Sequence, residues 1–520
     1  MGNKVRSNSQ YWLKIVIIIV ILWGVFFRVT NIDKKIYWHD EVYTSLRVAG
    51  YKGDEVVTTF FNGEIITVKD LLEFQTLKSE TPLIYTINSL IEHPEHPPLY
   101  YLLLRFWQDL FGSSIIINRS LSILFSLLIF PAIYYLSQQL FNNNLVNLIS
   151  ISLIAISPVQ ILYAQEAREY SLWMLSIILS SLFFFKSIKT NNISHWFMYS
   201  LTLSLTFYTS ILSAFLPIIK VSYIYLIGKI LAVQTKINFL IFTSISGILF
   251  IPWLVITVIN FSILKDKTNW TNTQQSLELL ANLWGLHFTS LFIDFGLPLY
   301  HWASYIFIIF IFSIIFYSFF FMVNNISKNI WLYLLLLVLI PTLGLILPDL
   351  IFGGIKSSMT RYFFPAYLSI YLTIAYTLGK KIEQKSQTSS LILIIIFTLS
   401  IISNIISSNA QTWWNKASSY HNAVIAQMIN QAENPLVITQ NLDINKGNII
   451  SISHNLKPET KLQLLNTNTS IKAHPEFKEI YIFNPSPQLI NSLEKLYHQK
   501  LENKNYSLYY FNILLPKLNF

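Results

Sequence analysis

Cysteine is absent from all 520 residues. That removes disulfides, thiolate nucleophiles and Cys-ligated metals at once. Charge is scarce too: Asp, Glu, Lys and Arg make up 12 % of the chain, against about 25 % in soluble domains. Several soluble domains could not be clothed with so little charge. The charged residues are 36 basic and 26 acidic, a net +10. A basic surplus can signal nucleic acid, but no basic run here stands clear of apolar sequence, and the excess fits the inside turns of a membrane protein better. No nucleic-acid partner is expected. Solenoid-type repeats are also missing.

What fills the chain instead is apolar: 53 % of its residues are hydrophobic, and 15 % of the whole chain is aromatic. Sustained apolar runs fall near residues 12–29, 119–137, 145–162, 170–188, 195–209, 211–231, 238–259, 302–323, 330–348, 361–379 and 389–407. Each is long enough, or nearly so, to cross ~30 Å at ~1.5 Å per residue. The first run is too long for a cleavable signal and lacks a small-residue cleavage site, so it reads as a retained span. The expected fold is mainly α, a polytopic membrane protein of about eleven spans, with a small external α/β domain at the C-terminus. Orientation follows from charge. With the N-terminus inside, Lys4, Arg6, Lys14, Lys186, Lys189, Lys229, Lys236, Lys328, Lys380, Lys381 and Lys385 lie on inside turns, opposed by the single acid Glu383. Positive-inside counting then places the C-terminus outside, in a plasma (inner) membrane, multi-pass.

Residues 1–407 are read as the membrane domain and 408–520 as the external domain. Within the first, residues 30–118 form a long external loop, where Pro97-Pro98-Leu99-Tyr100-Tyr101-Leu102-Leu103-Leu104-Arg105-Phe106-Trp107 is too short to cross and reads as an interfacial helix. In 408–520, short apolar runs at 435–439, 479–483 and 508–511 alternate with helix-like segments at 418–432 and 486–500, the pattern of an α/β fold.

The charges that border spans on the outer side are few: Asp40 and Glu41 after span one, Arg119 at the start of span two, Glu166 and Arg168 between spans three and four, and Lys356 and Arg361 before span ten. Charge near lipid is costly unless paired or solvated, so this ring at one depth is a candidate site. A carboxylate in Tyr37-Trp38-His39-Asp40-Glu41-Val42-Tyr43 can take a proton from an acceptor hydroxyl. The same pair, with His39, could hold a divalent cation, although no cofactor is firmly implied. Arg and Lys suit phosphoryl oxygens and the charge on a departing phosphate. Acid, cations and bilayer together point to transfer from a lipid-phosphate donor. Glu92-His93-Pro94-Glu95-His96 offers four potential ligands, but without i, i+4 spacing and with prolines enforcing an extended chain, so His96 reads as a polar group in or near the pocket.

These residues resemble the protein O-mannosyltransferase superfamily, which includes the bacterial aminoarabinose-to-lipid-A transferases. Asp40-Glu41 resembles its acidic motif, and His96-Pro97-Pro98-Leu99-Tyr100-Tyr101-Leu102-Leu103-Leu104 its first-loop segment. Arg119-Ser120-Leu121-Ser122 resembles the start of its second span, Gln165-Glu166-Ala167-Arg168-Glu169-Tyr170-Ser171-Leu172 its QEAR-x-Y segment, and Arg361-Tyr362-Phe363-Phe364-Pro365-Ala366 its late RY-x-x-P-A segment. The resemblance covers residues 40–380 and implies a C-type glycosyltransferase fold acting on polyprenyl-phosphate-linked sugars at the external face. By that likeness Asp40 is the expected catalytic base with Glu41 assisting, and Arg119, Arg168, Lys356 and Arg361 surround the donor phosphate. His39, Glu95, His96, Tyr100, Gln165, Glu166, Tyr170 and Tyr362 are expected to line the pocket. The family's Thr-His near the end of the fifth span is Thr209-Ser210 here, so the role of that His is absent. The acceptor is left open as lipid, glycan or protein. The competing class is a transporter or binding protein for a lipid-linked or anionic substrate. Transporters place substrate groups near the bilayer midplane within inverted repeats, and neither feature is visible.

Overall fold

A computed structural model of the chain describes residues 2–442, 444–466, 471–504 and 506–512. The chain divides into two compact units. One comprises Met1–Ile32, Leu90–Tyr100 and Arg119–Asn409, and the other Asp33–Ser89, Tyr101–Asn118 and Ala410–Phe520.

The first unit is helical. Among the described residues, eight helices are long and apolar enough to cross a membrane, or nine if a bent pair is one span. Three of the eleven expected spans differ from that simple form. The run at 195–209 yields the helix Ile193–Phe207, only 15 residues long. The run at 145–162 breaks into Asn144–Ala155 and Pro158–Ala164, bent by 58°. The run at 361–379 becomes Phe364–Glu383, which is long enough but is not among the qualifying helices. Its composition explains why: it carries Tyr, Ser and Thr along its length and ends in Lys380, Lys381 and Glu383. Every residue from Phe364 to Gly379 is nonetheless buried. A helix surrounded by other helices has no lipid to match, so small and polar side chains serve it better than a uniform apolar coat. Ser369 donates to the Leu334 carbonyl (2.6 Å), and the Tyr371 and Ser157 hydroxyls are bonded at 2.6 Å.

The bend has a definite chemistry. Pro158 cannot donate to the preceding turn, so the helix stops before it and leaves carbonyls without intrahelical partners. Arg28, buried at the end of Gly2–Val29, supplies them: Nη1 donates to the Ala155 carbonyl and to that of Gly24 (2.8 Å), Nη2 to Ile154 (3.2 Å), and Nε to Ser126 Oγ (2.7 Å). Asn404 donates to the Ile156 carbonyl at 2.7 Å. Gly24 permits the approach, since a Cβ there would fall 2.5 Å from the Ala155 oxygen.

The second unit is built on a six-stranded sheet: β1 (Asn62–Thr67), β2 (Pro435–Gln440), β3 (Lys461–Leu465), β4 (Glu479–Phe483), β5 (Glu502–Asn503) and β6 (Leu508–Asn512), in spatial order β1-β3-β2-β4-β6-β5. The central three strands are mutually parallel, while β1 and β6 add on antiparallel. Leu436, Val437, Ile438 and Thr439, and likewise Ile480, Tyr481, Ile482 and Phe483, are all buried, as expected of parallel strands covered on both faces. The helices Asn445–Ser453 and Pro487–Tyr497 follow β2 and β4. The expected strands at 435–439, 479–483 and 508–511 and the helix at 486–500 have their counterparts here. The segment 418–432 holds a shorter helix, Asn422–Ile429. The segment 97–107, expected to be an interfacial helix, lies within the helix Leu99–Phe111 from Leu99 onward.

Candidate active site

In the second unit, Asp40 and Glu41 lie in the first turn of the helix His39–Val48, where the helix dipole favours negative charge. Their surroundings differ sharply. Glu41 is fully buried and paired with Lys416 at 3.4 Å, and its carboxylate also accepts the Trp38 backbone N–H at 3.4 Å. The Lys416 ammonium rests over the Trp38 ring, 5.4 Å from its centroid. Asp40 keeps a partly exposed carboxylate, 3.4 Å from His39 Nδ1. The start of the helix is held from outside: the His39 N–H donates to Ser419 Oγ (3.1 Å). One turn on, Tyr43 is partly buried; desolvation pushes its hydroxyl up to about 12, with Arg47 pulling it down and Asp54 and Asp40 adding smaller upward pushes.

In the first unit, the predicted residues assemble around Tyr170, whose ring is buried. The Arg168 guanidinium sits 5.7 Å from the Tyr170 centroid and that of Arg361 5.5 Å from it, with Arg361 also 5.7 Å from the Tyr362 ring. Cations over a ring face are attracted by its quadrupole, so one tyrosine gathers two guanidiniums that are far apart in sequence. Arg168 Nη2 meets Glu169 Oε1 at 3.3 Å. That carboxylate oxygen is 3.9 Å from His96 Nδ1, and His96 Nε2 is 3.8 Å from Glu95 Oε1, which His93 Nδ1 reaches at 3.2 Å. A row of polar side chains thus runs from His93 to Arg168, and Arg361 joins it through the shared Tyr170 ring.

The other predicted residues take supporting places. Tyr100 Oη and Ser122 Oγ are 2.7 Å apart, and Ser122 donates to the Arg168 carbonyl (3.1 Å). Gln165 donates to the carbonyls of Phe27 (2.9 Å) and Thr30 (2.8 Å), tying the Gln165–Glu169 segment to the end of the first helix. Glu166 is fully buried, and its backbone carbonyl accepts the Arg168 N–H at 2.7 Å. Arg119 is fully buried and donates to the Ile32 carbonyl at 2.7 Å. Lys356 opens a one-turn helix and is exposed. His287, unforeseen from sequence, bonds Thr360 next to Arg361; burial pushes its imidazole down to about 3, against weaker support from the Ser358 and Ser357 backbone. Glu169 was equally unforeseen, and His93 stood only among the potential ligands of Glu92–His96. Both sit inside the motifs quoted above, so nearness to Arg168 and His96 was the available signal. Among the described residues, no group of three His, Cys, Asp or Glu side chains is disposed to hold a metal ion.

Comparison with known proteins joins this geometry to a class. Residues 95–256 match the family described as dolichyl-phosphate-mannose-protein mannosyltransferase. The chain is similar in structure to ArnT from Cupriavidus metallidurans bound to undecaprenyl phosphate, with TM-score 0.54 and 11 % identity over 96 % of this chain and 98 % of that one. It is also similar to the apo state of the same protein, with TM-score 0.51 and 10 % identity over 97 % and 98 %. Among curated protein sequences nothing matches. The fold is therefore that of a polytopic membrane protein of the C-type glycosyltransferase class, as the sequence motifs implied.

Proposed function

We propose that the protein is a membrane glycosyltransferase that moves a hexosyl or pentosyl unit from a polyprenyl-phosphate donor to an acceptor hydroxyl. The reaction is an inverting single displacement. Asp40 takes the hydroxyl proton as the acceptor oxygen bonds to the anomeric carbon, and the anomeric C–O bond breaks with its electron pair passing to the lipid phosphate. Arg168 and Arg361 receive that phosphate, with Arg119 and Lys356 adding positive charge. Guanidiniums suit this role because their planar forks bind phosphoryl oxygens bidentately. Within the acidic pair, Asp40 rather than Glu41 is the base, because Glu41 is committed to Lys416. Charge counting on the turns supports a plasma-membrane protein acting at the external face, and the undecaprenyl phosphate bound by the ArnT neighbour supports a polyprenyl-phosphate donor.

The convergence of Arg168 and Arg361 on Tyr170 carries this reading. Undecaprenyl phosphate binding to the detergent-solubilised protein tests it. Arg168→Ala and Arg361→Ala should each weaken binding by ~1.5–3 kcal/mol, the worth of a hydrogen bond to a charged group. Arg168→Lys should recover only part of it. Unchanged binding by both alanine variants removes the pair from the donor site.

A further inference from the structure

A cavity of about 670 Å³ lies within the second unit, at the carboxyl ends of β2 and β4. Its position is set by topology. These strands are parallel neighbours, yet β2 is followed in sequence by β3 on one side and β4 is succeeded by β5 and β6 on the other. Where adjacent connections leave in opposite directions, the loops part and a crevice opens beyond the strand ends, the usual ligand position in open α/β sheets. Asn445 and Pro487, the first residues of the two following helices, both line it.

The lining is amide, hydroxyl and aromatic. Asn445 Nδ2 donates to the carbonyls of Gln440 (3.2 Å) and Asn484 (2.9 Å), bridging the two strand ends. Asn448 Oδ1 accepts from Ser419 Oγ at 2.7 Å, and Ser486 Oγ donates to Gln440 Oε1 at 2.7 Å. These bonds fix the amides from behind, so their orientation is set before any ligand arrives. The aromatic side is a flat stack: the His421 and Tyr506 rings are 4.3 Å apart and inclined by 21°. Tyr506 is 45 % exposed. Among the described lining residues none is Asp, Glu, Lys or Arg. A sugar matches both halves of that described lining: hydroxyls for the amides, and an apolar C–H face for the rings.

Backbone strain gathers at the same place. Of eight described non-glycine residues with left-handed φ, three line the cavity: Asn484 (46°), Tyr506 (54°) and Ser507 (62°). Two such residues in succession fit a tight hairpin between β5 and β6, closed by Lys504 N–H to the Leu508 carbonyl at 2.9 Å. Left-handed positions in hairpin loops ordinarily go to Gly, Asn or Asp. Here a tyrosine occupies the strained position and presents its ring to the cavity.

We propose that this cavity binds a neutral hexose or N-acetylhexosamine unit of an acceptor glycan. The acceptor role rests on the transfer reaction proposed above; the binding of sugar does not. Placement next to the base supports it. Ser419 Oγ, which donates to Asn448, accepts the N–H of His39, the residue before Asp40. Gly447 lies against His39, where a Cβ would come within 2.4 Å of the ring, and 3.0 Å of Tyr43.

Saturation-transfer NMR on the solubilised full chain, with maltotriose, cellotriose, mannotriose and chitotriose as probes, tests the assignment. At least one should bind. Tyr506→Gly removes the ring while suiting the backbone, and His421→Ala removes its stacking partner; each should weaken binding roughly tenfold or more, as loss of an aromatic platform does for stacked ligands. Tyr506→Phe and Asp40→Asn should retain it. Silence from all four probes, or undiminished binding by Tyr506→Gly, overturns the proposal. A protein that binds a trisaccharide but not undecaprenyl phosphate supports the cavity and removes the donor reading. One that binds the lipid and no trisaccharide overturns the cavity alone.

Discussion

At the scale of single residues, two adjacent acids illustrate how environment assigns work. Asp40 and Glu41 are indistinguishable as neighbours in sequence, but Glu41 is fully buried against Lys416 whereas Asp40 keeps a partly exposed carboxylate. Asp40→Asn preserves size and much of the hydrogen bonding while losing the ability to accept a proton. Transfer should fall by ~10²–10⁴, the contribution of a positioned general base, with thermal stability unchanged. Glu41→Gln should do the opposite first: it strands the Lys416 ammonium in the interior, a loss of about 3–5 kcal/mol, and lowers the melting midpoint in detergent. A stable, inactive Glu41→Gln beside an active Asp40→Asn would exchange the two roles. His287 adds a pH dependence. Its folded value, about 3, lies below the ordinary 6.5. The unfolded chain therefore takes up a proton that the folded one refuses, and the resulting stability is present above 6.5 and lost as the pH falls from 6.5 toward 3. His287→Phe, neutral at every pH, should flatten that part of the stability profile; an unchanged acid limb would detach His287 from it.

At the scale of elements, the bent pair Asn144–Ala155 and Pro158–Ala164 depends on one guanidinium. Arg28→Met keeps length and apolarity but leaves the Ile154 and Ala155 carbonyls without their donor. Each buried unsatisfied group costs ~1–3 kcal/mol, so the half-life of the solubilised protein at elevated temperature should shorten markedly. Survival equal to wild type would show that water or lipid replaces the side chain. Elements of this kind also mark what was legible in the sequence. Long helices with lipid-facing sides were plain, because apolar runs are their direct signature. The bend was not, since 145–162 reads as one run and its breaking residue, Pro158, is common in membrane helices. In the second unit, β2 and β4 showed as short apolar runs, while β3, beginning Lys461-Leu462-Gln463, did not stand out. β1 was hidden for a different reason: Asn-Gly-Glu-Ile-Ile-Thr is unremarkable until its partner is known. For the site, Asp40, Arg168 and Arg361 could be picked out as rare charges beside apolar spans. Lys416 could not, because nothing local ties it to Glu41.

At the scale of the whole molecule, the sidedness expected from charge is open to direct measurement. The chain has no cysteine, so Ser386→Cys and Ser492→Cys each introduce a single thiol. A membrane-impermeant reagent applied to intact cells should label Ser492→Cys and spare Ser386→Cys; the reverse pattern would invert the topology. The sheet adds a constraint on biogenesis. Gln463 in β3 donates to the Gly63 carbonyl in β1, 400 positions earlier in the chain. During synthesis β1 emerges first and has to wait while every intervening span is inserted, its hydrogen-bonding edge unmet. Pairing across such a separation is slow to form, because loop closure precedes any reward from contact. Ribosomes that stall before β3 would leave a nascent product with an unsatisfied strand, the kind of edge that recruits chaperones or aggregates. The β1–β3 pairing is therefore a late step, open only once the 400 positions from Gly63 to Gln463 have been made.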